Sequence, residues 1–250
     1  VTDAAGRVFR KSQPNPPAGF FAAEARGLQW LATVEDGPPL PDVLAVDEHS
    51  ITLTHIETGP SSASAAEDFG RALAAMHRAG ASAYGAGWPG YIGTIPLDNT
   101  HNAANESWAQ WYAERRVLPY VQLARDRGAL AGGDVRALES ACARLPNSDE
   151  PPARIHGDLW SGNVLWGADG RVWLIDPAAH GGHRETDLAM LALFGEPYLD
   201  HIVAAYDEAD PLADGWRDRV GVHQLHPLLV HAVLFGGAYG PRAAAIAAHL

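Results

Sequence analysis

Apolar and polar positions first alternate along the chain and then recur at helical spacing. Residues 7–11, Arg-Val-Phe-Arg-Lys, read as a short strand after a turn at residues 3–6. A proline-rich loop covers residues 12–19. Residues 20–31 then predict a helix, with Phe20, Phe21, Leu28 and Leu31 on one face. Residues 43–46 and 51–56 predict two further strands around a polar turn at 47–50. The run Gly59-Pro60-Ser61-Ser62 breaks this pattern, and helical spacing dominates beyond it. A boundary is therefore expected near residues 57–63. Residues 1–60 would form a small β-rich N-terminal lobe with its hinge, and residues 61–250 a larger, mainly helical C-terminal lobe, an α+β organisation.

Within the second part, Phe69, Leu73 and Met76 mark a helix ending near Gly80. Residues 84–105, rich in Gly, Pro and Asn, predict a long loop. Residues 107–123 predict a helix carrying Trp108, Trp111, Tyr112 and Leu118. Asp134 is expected to cap another, whose stripe of Val135, Leu138, Cys142 and Leu145 marks Cys142 as a core residue. Apolar runs at 153–156, 163–166 and 171–175, separated by glycine-containing turns, suggest hairpin strands. From Glu185 onward the pattern is helical.

Composition narrows the function. The formal charge of −12 argues against nucleic acid, whose binding needs clustered Lys and Arg, and favours amine-bearing partners. No apolar run approaches the roughly 20 residues that span a bilayer. A single cysteine admits no internal disulfide, so a reducing cytoplasm is the expected compartment. There are seventeen arginines but one lysine, Lys11. Lysine differs from arginine in shape and hydration, which marks Lys11 for a specific role unless it survives by chance.

The chemistry-bearing stretch is His156-Gly157-Asp158-Leu159-Trp160-Ser161-Gly162-Asn163. Its frame, His-x-Asp-Leu-x-x-x-Asn, is the catalytic-loop frame of protein kinases with Gly157 in place of Arg. In that frame Asp158 reaches the acceptor hydroxyl as base, while Asn163 turns back to a Mg²⁺ ion on the ATP phosphates. Thirteen residues later the strand Val172-Trp173-Leu174-Ile175 delivers Asp176, in the place of the second metal-binding carboxylate. Turn chemistry alone could produce either motif, since Gly, Asp and Pro are common turn formers. Both in order, flanked by strands, predict a two-lobed protein-kinase-like fold.

The N-terminal part adds an independent sign. Glu24 falls on the apolar face of its helix, where a carboxylate is costly unless a cation meets it. Lys11 ends the preceding strand, and a strand lysine paired with a helix glutamate positions phosphates in kinases. The alternative is a solvated Glu24 at the edge of the stripe.

With these residues in view, the chain resembles the fructosamine kinase (ketosamine-3-kinase) family, within the larger group of aminoglycoside and choline kinases. His-Gly-Asp-x-x-x-x-Asn is common to that group. More selective are Trp160, Asp176-Pro177-Ala178, the run from Gly182 to Met190, residues 91–99 and Phe9-Arg10-Lys11. The resemblance spans about residues 7–240. It implies ATP-dependent phosphorylation of the 3-hydroxyl of a ketosamine, a fructosamine or ribulosamine, free or protein-bound. It further implies Asp158 as base, Asn163 and Asp176 as Mg²⁺ ligands, and Lys11 with Glu24 as phosphate clamp. His156 would brace the loop and Asp187 would anchor it from behind. The adenine would meet the hinge near Thr54 and Ile56. Trp160 and Glu185 are expected beside the acceptor, and Asn and Asp groups of residues 91–99 on its hydroxyls. Only ten residues precede Lys11, too few for the glycine-rich hairpin that covers nucleotide phosphates in kinases. The N-terminal lobe is therefore expected to be incomplete at its start or unusual there.

Three other readings compete. Zinc could use His180, His183 and Glu185, or His223, His226 and His231, but structural zinc favours cysteine and catalytic zinc a third close ligand. An aminoglycoside- or choline-type kinase would share the chemistry and differ in acceptor. A catalytically inactive kinase fold acting as a binding module would have no need of Lys11, Glu24, Asp158, Asn163 and Asp176 together.

Overall fold

The computed structural model describes residues 7–250, so the turn read at residues 3–6 and any phosphate cover before residue 7 lie outside it. β1 (Val8–Ser12) and β2 (Val43–Val46) flank β3 (Ser50–Thr54) in an antiparallel sheet. Lys11 sits opposite Ile51 in the register. The alternation of β3 buries Ile51 and Leu53 against Phe21, Ala25 and Leu28 of α1 (Phe20–Leu31), a small core of its own. Glu24 lies on that buried face.

The remainder is mostly helical. α2 (Ala63–Arg78) begins at Ser62, whose hydroxyl accepts the Ala65 N–H. It packs closely on α7 (Leu199–Ala209) because Gly70 has no side chain. A Cβ there would lie 2.2 Å from the Ile202 carbonyl oxygen. The loop expected at 84–105 contains a short hairpin, β4 (Gly90–Ile92) with β5 (Ile95–Leu97). Its two strands carry Gly90 and Pro96, residues that read as loop in the sequence.

The helix expected at 107–123 is α3 (Trp108–Tyr112), a π turn (Ala113–Val117) and α4 (Leu118–Asp126). Pro119, in the first turn of α4, has no N–H to continue the ladder, which accounts for the widened turn. A second proline, Pro227, lies inside α8 (Trp216–Phe235) and cannot donate to the His223 carbonyl. The Tyr112 hydroxyl donates there instead, and to the Val222 carbonyl at 2.9 Å. In α5 (Gly132–Cys142), Asp134 reaches back to the Ala131 N–H from inside the first turn rather than standing at the cap. Burial pushes the Cys142 thiol up to about 11, so it is inert at neutral pH.

Of the three strand runs, β7 (Val164–Trp166) and β8 (Val172–Leu174) form the expected hairpin. β6 (Ala153–Ile155) pairs instead with β9 (His180–Gly182), a strand the apolar pattern did not show. The β7–β8 turn meets the segment between β3 and α2 through Gly59 N–H to Trp166 O and Ala168 N–H to Glu57 O. α6 (Glu185–Phe194) and α9 (Tyr239–Ala247) complete the helices.

Behind β7, Glu196 accepts the Trp166 indole N–H at 3.2 Å, while its other carboxyl oxygen is buried without a partner. Burial pushes its pKa up to about 7 from an ordinary 4.5. Between those values the folded state holds a proton that the unfolded chain has released, so stability falls as pH rises through the window. Glu196→Gln keeps the acceptor and removes the charge. It should raise stability by about 1–3 kcal/mol at pH 8 and by nothing near pH 4. Thermal melts of both proteins across that range check it.

Candidate active site

Helix α1 is pinned to the C-terminal lobe, and this aims Glu24. Gly27 packs against Ala179, where an added Cβ would sit 3.2 Å from the alanine's own. The Tyr91 hydroxyl donates to Ala18 O at 2.9 Å, and the Arg154 guanidinium stacks on Trp30 while donating to its carbonyl. Glu24 therefore faces the strand lysine. Lys11 Nζ donates to Glu24 Oε2 at 2.9 Å and to Asp176 Oδ1 at 2.8 Å. Burial would lower the lysine pKa, but the two carboxylates outweigh it and hold the ammonium charged.

Asp176 has a left-handed backbone, φ 54°, directly after Ile175. The Ile175 carbonyl accepts from His156 Nε2 at 2.9 Å, and His156 Nδ1 accepts the Asp158 N–H at 3.3 Å. The fully buried imidazole thus ties the loop bearing Asp158 to the segment bearing Asp176. Burial lowers its pKa, which keeps it neutral for this double role. Asp187, also fully buried, accepts His156 N–H at 2.7 Å and Gly157 N–H at 2.9 Å. Burial would raise its pKa, but the hydrogen bonds from His77 and the Gly157 N–H help to outweigh it and hold the pKa below the usual carboxylate value. Gly157 is required here. Its φ is 80°, and a Cβ would lie 2.4 Å from the Ala178 carbonyl oxygen.

His77 was not singled out by sequence reasoning. Its Nε2 lies 3.1 Å from Asp187 Oδ2 and its Nδ1 2.8 Å from the Tyr206 hydroxyl. The available signal was a histidine among the buried positions of α2, beside Met76. It gave no indication of the partner.

Asp158 Oδ2 accepts from Asn163 Nδ2 at 3.1 Å, and the same amide donates to the Asp158 carbonyl at 2.8 Å. Burial pushes the Asp158 carboxyl up to about 7, helped by Asp176 and Asp187 and opposed by Asn163 and Lys11. A base with a pKa near neutrality is matched to taking a proton at pH 7. With the Asn163 nitrogen so engaged, its amide oxygen is left to face the cleft together with Asp176. One neutral and one charged oxygen donor fit Mg²⁺, which takes its other ligands from phosphates and water.

These groups line one cleft of about 340 Å³. Trp160 stands at its rim, 37% exposed, with its indole folded over Gly162 and edge-on to Phe194 at 6.1 Å. An added Cβ at Gly162 would lie 2.2 Å from the indole, so the glycine makes room for the ring.

Several of the expected residues lie outside this cleft. Glu185 is buried away from the cleft, accepting Arg219 Nε at 2.9 Å, with His223 Nε2 at 3.3 Å. An arginine claims the carboxylate that was expected beside the acceptor. Thr54 and Ile56 lie outside the cleft lining, and Asp42 engages both the amide and hydroxyl of Thr54. Asn99 is buried against Arg116, and Asp98 accepts the Thr100 N–H, so residues 91–99 bring Tyr91, Ile92 and Gly93 to the cleft instead. Neither histidine trio forms as read. His183, Glu185 and His223 come together, with ligand atoms within 4.8 Å of one another. Arg219 on Glu185 and Ser148 on His183 Nε2 already fill the positions a cation would need.

The family profile described as fructosamine kinase matches residues 1–250. The chain belongs to the fructosamine kinase family. It is 38% identical over 234 residues to the probable ketoamine kinase of Thermus thermophilus, covering 94% of this chain and 84% of that one. The crystal structure of a Thermobifida fusca protein with a provisional fructosamine-3-kinase assignment superposes with a TM-score of 0.91 at 52% identity. That match covers 98% of this chain and 85% of the other. A macrolide 2'-phosphotransferase type I, at 21% identity and a TM-score of 0.62, covers 100% of this chain and 85% of its own, and shares the fold. The two-lobed protein-kinase-like fold and phosphotransferase class follow from family membership. No helix among the described residues is long and apolar enough to cross a membrane.

Glu24→Ala tests the lysine arrangement. Without Glu24, Lys11 keeps Asp176 as its partner and would compete for it with any Mg²⁺ that this carboxylate held. We expect kcat to fall roughly 10- to 100-fold, as displacement of a positioned group does. The Mg²⁺ concentration for half-maximal rate should rise, with the melting temperature close to wild type. A magnesium titration of both proteins reads this, and an unchanged requirement would refute it.

Proposed function

We propose that the chain transfers the γ-phosphoryl group of ATP to the 3-hydroxyl of a ketosamine, a fructosamine or ribulosamine, free or attached to protein. The observation that carries this reading is the convergence of Lys11, Asp158, Asn163, Asp176 and Trp160 on one cleft, with Lys11 on Asp176 and Asn163 on Asp158. Residues 1–60 act as the nucleotide-binding lobe with its hinge and residues 61–250 as the catalytic lobe.

In this mechanism Asp158 accepts the hydroxyl proton as the sugar oxygen attacks the γ-phosphorus, and the bond to ADP breaks. Asn163 and Asp176 would hold Mg²⁺, which neutralises charge on the phosphates. Lys11, steadied by Glu24, offers its ammonium to the same oxygens. His156 and Asp187 keep the loop rigid, so that Asp158 needs little reorganisation. The negative field of the chain welcomes an amine-bearing acceptor, and Trp160 offers a flat apolar face to a sugar. The test is side-by-side turnover on a small fructosamine, a ribulosamine, kanamycin, choline and free fructose with MgATP. The ketosamines should give the highest kcat/KM. A higher value for kanamycin or choline would overturn the acceptor assignment while leaving the kinase chemistry in place.

A further inference from the structure

The wall of the cleft formed by α8 carries Val230, His231, Leu234 and Phe235. His231 is the one side chain among these four that can form a hydrogen bond, and its geometry is specific. Nδ1 lies 2.8 Å from the Pro227 carbonyl oxygen, which can only accept, so Nδ1 carries the proton. Nε2 then presents a bare lone pair and has no partner among the described residues. The ring is held by Phe194, Tyr239 and Phe235, at centroid distances of 4.7, 5.1 and 5.5 Å. Burial lowers the imidazole pKa, in keeping with a neutral acceptor.

The carboxylates of the cleft, Glu24, Asp158 and Asp176, have other partners. Lys11 holds two of them and Asn163 the third. An N–H donor reaching the α8 wall would find His231 and two exposed aromatic faces, Trp160 at 37% and Phe235 at 70% exposure. Such surroundings suit an ammonium on an organic substituent: the rings attract the cation, and the lone pair accepts a hydrogen bond from its N–H.

We infer that His231 Nε2 reads the ketosamine nitrogen by accepting its N–H, with the amine's substituent leaving the cleft across Phe235. This rests on the ketosamine reading above. It makes His231 a specificity residue for the amine, separate from the groups around Asp158 and Lys11.

The test compares two acceptors, N-propyl fructosamine and the fructose propyl ether in which oxygen replaces the N–H. Each is assayed with wild type, His231→Phe and His231→Gln. Wild type should favour the amine by roughly 100-fold in kcat/KM, because a site built for a donor rejects an acceptor lacking it. His231→Phe should shrink that ratio below about 10-fold through the acceptor's KM, with the KM for ATP unchanged, and the Gln carbonyl should restore part of it. In wild type, the ¹⁵N resonance of His231 Nε2 should move on adding the amine and stay in place with the ether, a readout that does not depend on a variant folding. An unchanged ratio in His231→Phe, an equal loss on both acceptors, or a motionless resonance would overturn the inference while ketosamine phosphorylation stands. Failure of wild type to phosphorylate the fructosamine would overturn both.

Discussion

Asp158→Asn will lower kcat on a ketosamine by ~10²–10⁴-fold, the range for a positioned base, and leave nucleotide affinity within about twofold. The substitution is nearly isosteric, and its carbonyl oxygen can still accept from Asn163, which now donates to Asp158 Oδ2 at 3.1 Å. It cannot take a proton. Partial burial makes the carboxyl costly to ionise and pushes it up to about 7, so the variant should melt no lower than wild type. Single-turnover phosphoryl transfer with nucleotide binding by calorimetry separates the two effects. A near-normal kcat would remove Asp158 from its role.

Asp187→Ala will act through stability and rate together. The carboxylate accepts from His156 N–H, Gly157 N–H and His77, all three buried. Its removal leaves those donors without a partner, at about 1–3 kcal/mol for each group left unsatisfied. A loss of roughly 3–5 kcal/mol is a large share of the 5–15 kcal/mol that typically holds a fold together. At about 2–4 °C per kcal/mol for a chain of this size, the melting temperature should fall by roughly 6–20 °C. In the fraction that remains folded, kcat should drop as well, because the loop carrying Asp158 loses its rear anchor. A melting temperature within a few degrees of wild type, with wild-type kcat, would show that the network does neither.

The catalytic loop was legible because its chemistry is local. Asp158 and Asn163 are five residues apart on one turn, and the strand running into Ile175 must present Asp176 beside them. The Lys11–Glu24 pair was legible for a different reason. A carboxylate on an apolar helix face demands a cation, and Lys11 on the adjacent strand could supply it. The pair is present at 2.9 Å. Local period likewise placed α1, α2 and the β7–β8 hairpin.

Only the tertiary structure decided which of several competing partners each polar group would take. Glu185 looked like an acceptor-site carboxylate until Arg219, 34 residues away, claimed it. Asn99 looked free for a hydroxyl until Arg116 was buried against it. His77 meets Asp187 across 110 residues, and β6 skips the adjacent hairpin to pair with β9. The cleft face of His231 depends on a backbone carbonyl taking one ring nitrogen and three aromatic rings holding the imidazole. Residue type and spacing along the chain state what a side chain can bond. Which bond forms depends on distances and burial set by the packing of the whole chain, because a buried polar group takes whichever partner the fold brings within reach.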